Sequence, residues 1–458
     1  MNISTIQNFV TILAASSGAP QCVVNADCPA LYHCMEGFCE HKGVFPLEPR
    51  EFMGSVLMMV FVGIANAAGQ GGSFIAAPIL MIIFNYDPGH AIRLVYCVVF
   101  GGSLGNFLIN FLARRDPSPK PLIDYDVSLI ALPMLLCGTS VGVMLNNITP
   151  PAVTIIGLVY LMTKTFFKLY GKFIRQRARE NVPPDGVAPD MSIDNEVEMK
   201  EWGARARSPT FQNYFMVVDN PRIYQLMKED KLLLPWRKYR EIIILIILIV
   251  GMFLLKGTST FKSILGITYC STEYWILYAL TLGVCFLFER RARGLILEDS
   301  RFRENSPLSV AGDFTMTPQT ALELRNVSLV GGTLAGFLGI GGGTVMNPTM
   351  LDMGLSPESA AATSGFFVIF TGFLSMFQTL LYGGLSILEI SFFSPIAFFG
   401  SLFVSAVVRK LVKKYNRPSI VLFLLLFTLV FGIVAIPSFS IFRAIQSPSV
   451  MLESHGLC

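Results

Sequence analysis

Ten apolar stretches, most of them long enough to cross a bilayer, dominate the chain. They lie near residues 52–84, 90–112, 126–146, 151–170, 241–255, 272–288, 326–353, 358–382, 387–408 and 419–441. A spanning helix needs about 20 mostly apolar residues, and a bilayer admits only structures whose backbone groups are satisfied internally. The expected fold class is an all-α polytopic membrane protein. Charge placement agrees: 14% of the 458 residues are charged, against about 25% in soluble domains, and they crowd between the stretches. The net charge of +4 is too small to argue for a nucleic-acid partner.

Two of the stretches share a pattern. Ala65-Asn66-Ala67-Ala68-Gly69-Gln70-Gly71-Gly72-Ser73-Phe74-Ile75-Ala76-Ala77-Pro78 aligns without a gap to Ala335-Gly336-Phe337-Leu338-Gly339-Ile340-Gly341-Gly342-Gly343-Thr344-Val345-Met346-Asn347-Pro348. One deletion later, Asp87-Pro88 matches Ser356-Pro357 and Ala91 matches Ala360. The chain therefore reads as two related halves, 51–170 and 326–442, a construction common in secondary transporters.

Basic residues mark cytosolic loops. Arg114-Arg115, Lys172 to Arg179, Arg290 to Arg293, and Arg409-Lys410 with Lys413-Lys414 all fall on one side only if both glycine-broken stretches are re-entrant. The halves are then inverted repeats, with the pair 241–288 inserted between them. Residues 171–240 and 289–325 read as solvated cytosolic loops; the rival for the first is a small regulatory domain. Residues 443–458 form a tail.

Residues 1–20 resemble a weak signal peptide without a basic start. Residues 21–50 hold Cys22, Cys28, Cys34 and Cys39, a density that suggests two disulfides with three pairings open. A zinc knuckle assisted by His33 or His41 is the rival. Oxidised cysteines would place this module outside the cytosol. Cys97, Cys137, Cys270, Cys285 and Cys458 are scattered and read mostly as inert packing residues.

Backbone that leaves a helix inside a bilayer must be satisfied by protein or water, so such a break usually marks a site. Gly-x-Gly-Gly turns the chain sharply and leaves bare N–H groups. A helix starting near Ser73 or Gly343 would add its positive N-terminal end, and together these bind an anion without a charged side chain. The competing reading is that the glycines only permit tight helix packing. The candidate substrate-binding residues are Asn66, Gly69, Gln70, Gly71, Gly72, Ser73, Asn106, Gly339, Gly341, Gly342, Gly343, Thr344, Asn347, Thr363, Ser364 and Gln378. Each polar one could instead tie helices together. Arg93 and Glu389 sit near span ends, where snorkelling is usual, and Arg93 could instead guide an anion inward.

The repeat with Gly-Ile-Gly-Gly-Gly at 339–343, Pro348, Pro357, Ala360 and Thr363-Ser364 resembles the sulfite exporter TauE/SafE family, well over 326–384 and fairly over 54–112. The resemblance implies a permease for small sulfur-containing or organic anions such as sulfite or sulfonates, with no cofactor or metal. Its partners would be the anion and membrane lipid, with a homo-oligomer open. Leu94-Val95 stands where the second half has Thr363-Ser364, and Gln70 faces Ile340, so the half-sites differ. The alternative is a non-transporting scaffold or receptor subunit on the same fold; in either case the protein is expected in the plasma membrane or an endomembrane. No His-Glu-x-x-His or Walker loop is present, so an enzyme is not expected.

Overall fold

The computed structural model describes residues 24, 31–35, 38–115, 120–181, 232–233, 235–258, 260–304, 316–415, 417 and 419–446. The candidate signal peptide, Cys22, Cys28, the middle of the 171–240 segment and the tail from 447 lie outside them. Among the described residues the chain forms twelve helices and one antiparallel ribbon. The ribbon pairs β1 (Tyr32–Met35) with β2 (Phe38–His41), setting Cys34 opposite Cys39.

The helices are α1 (Pro49–Ala67), α2 (Ser73–Ile82), α3 (Pro88–Phe111), α4 (Tyr125–Ile148), α5 (Pro151–Glu180), α6 (Trp236–Lys256), α7 (Thr272–Glu304), α8 (Pro318–Leu338), α9 (Gly343–Asp352), α10 (Pro357–Leu381), α11 (Ile387–Tyr415) and α12 (Ser419–Gln446). Every apolar stretch falls on them, and the two long ones each divide into a long and a short helix. Seven helices, α1, α3, α4, α5, α10, α11 and α12, are long and apolar enough to cross a membrane. Local chemistry starts the helices where it should. Proline occupies the first turn of α1, α3, α8 and α10, where its missing N–H costs nothing. The Asp124 carboxylate caps α4 by accepting from the N–H groups of Asp126 and Val127, and Ser356 caps α10.

α1 and α2 form a hairpin. Arg50 at the start of α1 donates to the Ile82 carbonyl at the end of α2, so the chain enters and returns at one end. α8 and α9 form a second hairpin, with Ser328 beside Met346. It opens at the other end, where Asp352 is ion-paired to Lys168 and Lys172 of α5. The first end also carries the ribbon, through His41 on the Phe84 carbonyl at 2.9 Å, and the loop 257–271, through Thr258 and Thr260 on the Leu381 carbonyl. The second end carries the basic residues, including Lys238 on Asp126 and Arg409 on the Ile109 carbonyl. Around the hairpins, α3 lies between α10 and α11, α8 lies against α4, α5 against α12, and α6 and α7 against α4.

Helix packing in a bilayer lacks the water-driven term and relies on close fit and hydrogen bonds. On the α4–α8 seam, Gly138 and Gly142 face Gly332 and Gly336 so closely that a Cβ on any of them would strike the opposite backbone. The tight-packing role of glycine is thus filled at these helical positions.

Three expectations need correction. Residues 171–180 and 289–304 continue α5 and α7 as helix rather than opening loops, since Lys, Arg and Glu are good helix formers. Tertiary partners help: Glu180 accepts from the Ser419 N–H and hydroxyl. Cys270 is not inert packing, for it and Cys34 are both disulfide-bonded. Cys97, Cys137 and Cys285 are free and buried.

Candidate functional site

The closed ends of the two hairpins meet in the buried centre of the bundle. Gly69, Gly71 and Gly72 have φ near +80°, and Gly339 and Gly341 have φ of +71° and +63°. Backbone in this left-handed region favours glycine, which is why both helices break here. α2 then starts at Ser73 and α9 at Gly343.

The two breaks are stitched to each other. The Ser73 hydroxyl of the first donates to the Ile340 carbonyl of the second at 3.1 Å. Asn347 Nδ2 donates to the Ala68 carbonyl at 2.9 Å. The Ser364 hydroxyl of α10 lies 2.6 Å from the Gly69 carbonyl and 3.0 Å from the Gly343 carbonyl, so it clasps both. The Thr344 hydroxyl returns to Ile340 and Gly341, and Thr371 accepts from the Gly342 N–H. Gly71 and Gly341 both abut Val99 and Val368, one from α3 and one from α10.

What remains unsatisfied defines the chemistry. Among the described residues, no acceptor faces the N–H groups of Gly71, Gly72, Ser73, Gly341 or Gly343. Gln70 is 1% exposed. Thr428 of α12 donates to its Oε1, while its Nε2 has no partner. Asn347 Oδ1 is likewise without one. Buried polar atoms left without a partner are rare and demand one. With two helix N-termini starting beside one another, the centre offers N–H groups and an amide but, among the described residues, no cationic side chain.

Not every expected residue reaches this centre. Thr363 instead accepts from the Asp124 N–H at 2.9 Å, because it points to the α4 side of α10. Gln378 donates to Ser140 at 3.3 Å, four residues beyond Leu374 and nearer the ribbon end. Asn66 donates to its own helix at Val62 and packs on Gly102 and Gly72. Asn106 packs on Gly365 and accepts from Asn110. Val99, Val368, Thr371 and Thr428 belong to the centre without having been anticipated. Val99 had a signal: it stands opposite Val368 when the halves are aligned on Ala91 and Ala360. Arg93 lies at the ribbon end beneath Gly384, beside His90, whose ring meets Glu389 at 2.6 Å.

A bundle of long apolar helices around two opposed hairpins defines an integral, multi-pass membrane protein. Sequence comparison gives its kind. The sulfite exporter TauE/SafE family model matches residues 223–432. Sulfite exporter TauE/SafE family protein 5 of Arabidopsis thaliana is 29% identical over 81% of this chain and 79% of its own length. Family protein 2 of the same plant is 26% identical over 84% and 82%. Over residues 223–432 the chain is thus similar to the sulfite exporter TauE/SafE family. No solved structure matches the chain.

Proposed function

We propose that the protein is a secondary transporter that moves small anions, of the sulfite or sulfonate kind, through a site formed by the two glycine breaks. The single observation behind this is the pair of helix N-termini that meet with free N–H groups and the Gln70 amide in a centre that, among the described residues, holds no lysine, arginine or histidine. Such a site holds an oxyanion by several charge-assisted hydrogen bonds without trapping it as a fixed cation would. α2 and α9 each have 10 residues, a rise of about 15 Å. That is about half of a hydrocarbon core roughly 30 Å thick, so both breaks would lie near the midplane.

In this reading the halves are inverted repeats, since one hairpin opens at the ribbon end and the other at the basic end. The basic end is cytosolic by the positive-inside rule. The oxidised Cys34 and Cys270 at the other end suit an extracytosolic face.

The test is sulfite flux in proteoliposomes, with Gln70→Leu beside the parent. Losing a hydrogen bond to a charged group costs about 1.5–3 kcal/mol, so Q70L should cut flux by about ten- to a hundredfold. Folded parent protein that carries neither sulfite nor any of a panel of small sulfonates would overturn the proposal and favour a scaffold or receptor role.

A further inference from the structure

The double break is enclosed, so an anion needs a way in. A cavity at the basic end lies among α1, α3, α10 and α11 and is lined by Ala67, Asn106, Glu358, Ala361, Ser405 and Arg409, among others. Its floor is the wall of the first break, because the Ala361 carbonyl lies 2.5 Å from where a Cβ on Gly69 would stand. The cavity thus stops one residue short of the centre.

Two polar stripes run from the cavity toward the centre. On α11, Ser401, Ser405 and Arg409 recur every four residues. On α3, Gly102, Asn106 and Asn110 do the same. Residues at this spacing share one helix face. Ser401 and Asn66 meet over Gly102, and Asn66 also touches Gly72. The hydroxyls along these stripes are unusual. Buried hydroxyls elsewhere, such as Ser140 and Ser328, return their proton to the carbonyl four residues back. Ser401 and Ser405 are 0% and 4% exposed, yet among the described residues their hydroxyls have no partner. Two orphaned hydroxyls one turn apart leave a line of groups free to solvate something passing. Arg409 to Ser401 spans eight residues, about 12 Å of helix, close to the inner half of the bilayer core.

We propose that this cavity is the antechamber through which a small oxyanion reaches the double break from the basic end, with Ser405 and Ser401 solvating it in turn and Arg409 drawing it in. Arg409 also caps α3 through the Ile109 carbonyl at 2.7 Å, which holds its guanidinium at the rim. Glu358 on the same rim keeps the mouth from binding an anion permanently. The proposal rests on the transport reading above.

The experiment is thiol labelling of S405C and S401C in the full chain in proteoliposomes, with the impermeant reagents 2-sulfonatoethyl methanethiosulfonate (anionic) and its trimethylammonium analogue (cationic) added at the basic end. The parent sets the background, because its free cysteines Cys97, Cys137 and Cys285 are buried. Both variants should label at least tenfold faster than the parent, S405C ahead of S401C. Arg409→Gln should slow the anionic reagent about tenfold and leave the cationic one unslowed, and Arg409→Lys should restore the anionic rate. Labelling at background would overturn the route even if sulfite flux is present. Equal slowing of both reagents by R409Q would overturn the role of Arg409. Selective labelling without sulfite flux would support the antechamber and count against the transport reading instead.

Discussion

Gly69→Ala separates two reasons for glycine at the first break. The residue has φ of +78°, and an L side chain in that region costs roughly 1–2 kcal/mol. The added Cβ would also stand 2.5 Å from the Ala361 carbonyl oxygen and 2.9 Å from its Cα. Those are backbone atoms of α10, which cannot rotate away, and overpacking of this kind costs about 1–3 kcal/mol. The total for G69A is then about 2–5 kcal/mol. Gly354, between α9 and α10, is the control. Its φ is +95° and nothing lies within 4 Å of its would-be Cβ, so G354A incurs only the first cost. Unfolding of both variants in detergent should place G69A below G354A by about 1–3 kcal/mol, and flux should fall only in G69A. Equal stability of the two would refute the claim that the break is pressed against α10.

Three further outcomes are expected. Ser364→Ala leaves the Gly69 and Gly343 carbonyls without their shared donor, which should cost about 1–3 kcal/mol; a neutral result in an unfolding titration would deny the clasp. His41 is held neutral chiefly by burial, against the opposing pull of the Phe84 carbonyl and the Glu51 carboxylate, with its Nδ1 accepting from the Gly43 N–H. Its pKa lies below the ordinary 6.5, so its contribution is complete above that value and is lost as pH falls through the folded pKa. The loss is at most about 1.4 kcal/mol per pH unit, so the protection factors of the amides in 38–45, taken relative to intrinsic exchange at each pH, should fall between pH 7 and 5 in the parent but not in His41→Gln. Lys256 is 2% exposed and caged by Phe253, Tyr274 and Tyr278 at 4.4–4.8 Å with no carboxylate partner among the described residues. Lys256→Met should hold or raise the unfolding midpoint, because apolar replacements of buried charge are often neutral or stabilising; a large drop would show the cage to be net favourable.

Much of the architecture could be read from residue order. Asp87-Pro88 and Ser356-Pro357 each mark a helix start just after a hairpin, since proline in the first turn fixes φ and lacks only an N–H that would be unpaired there anyway. The break positions followed from Gly-x-Gly-Gly, where only backbone torsion matters. The partners of the break did not. Thr428 finds Gln70 across 358 residues, and no local pattern encodes which face of α12 turns inward. Thr363 and Ser364 are neighbours in sequence, yet one faces Asp124 and the other the centre, because successive helical residues point about 100° apart. Cys270 stood alone in sequence, and its oxidised state depended on which end of the bundle its loop reached.

The sequence by itself determined a helical membrane protein with two broken hairpins, because length, hydropathy and glycine torsions are local properties that the bilayer reads directly. The tertiary structure decided that the breaks meet, which hydroxyls clasp them and which polar atoms stay free. Those outcomes depend on helix rotation and register across distant segments, set by close backbone contacts such as the α4–α8 glycine seam rather than by any residue's own preference.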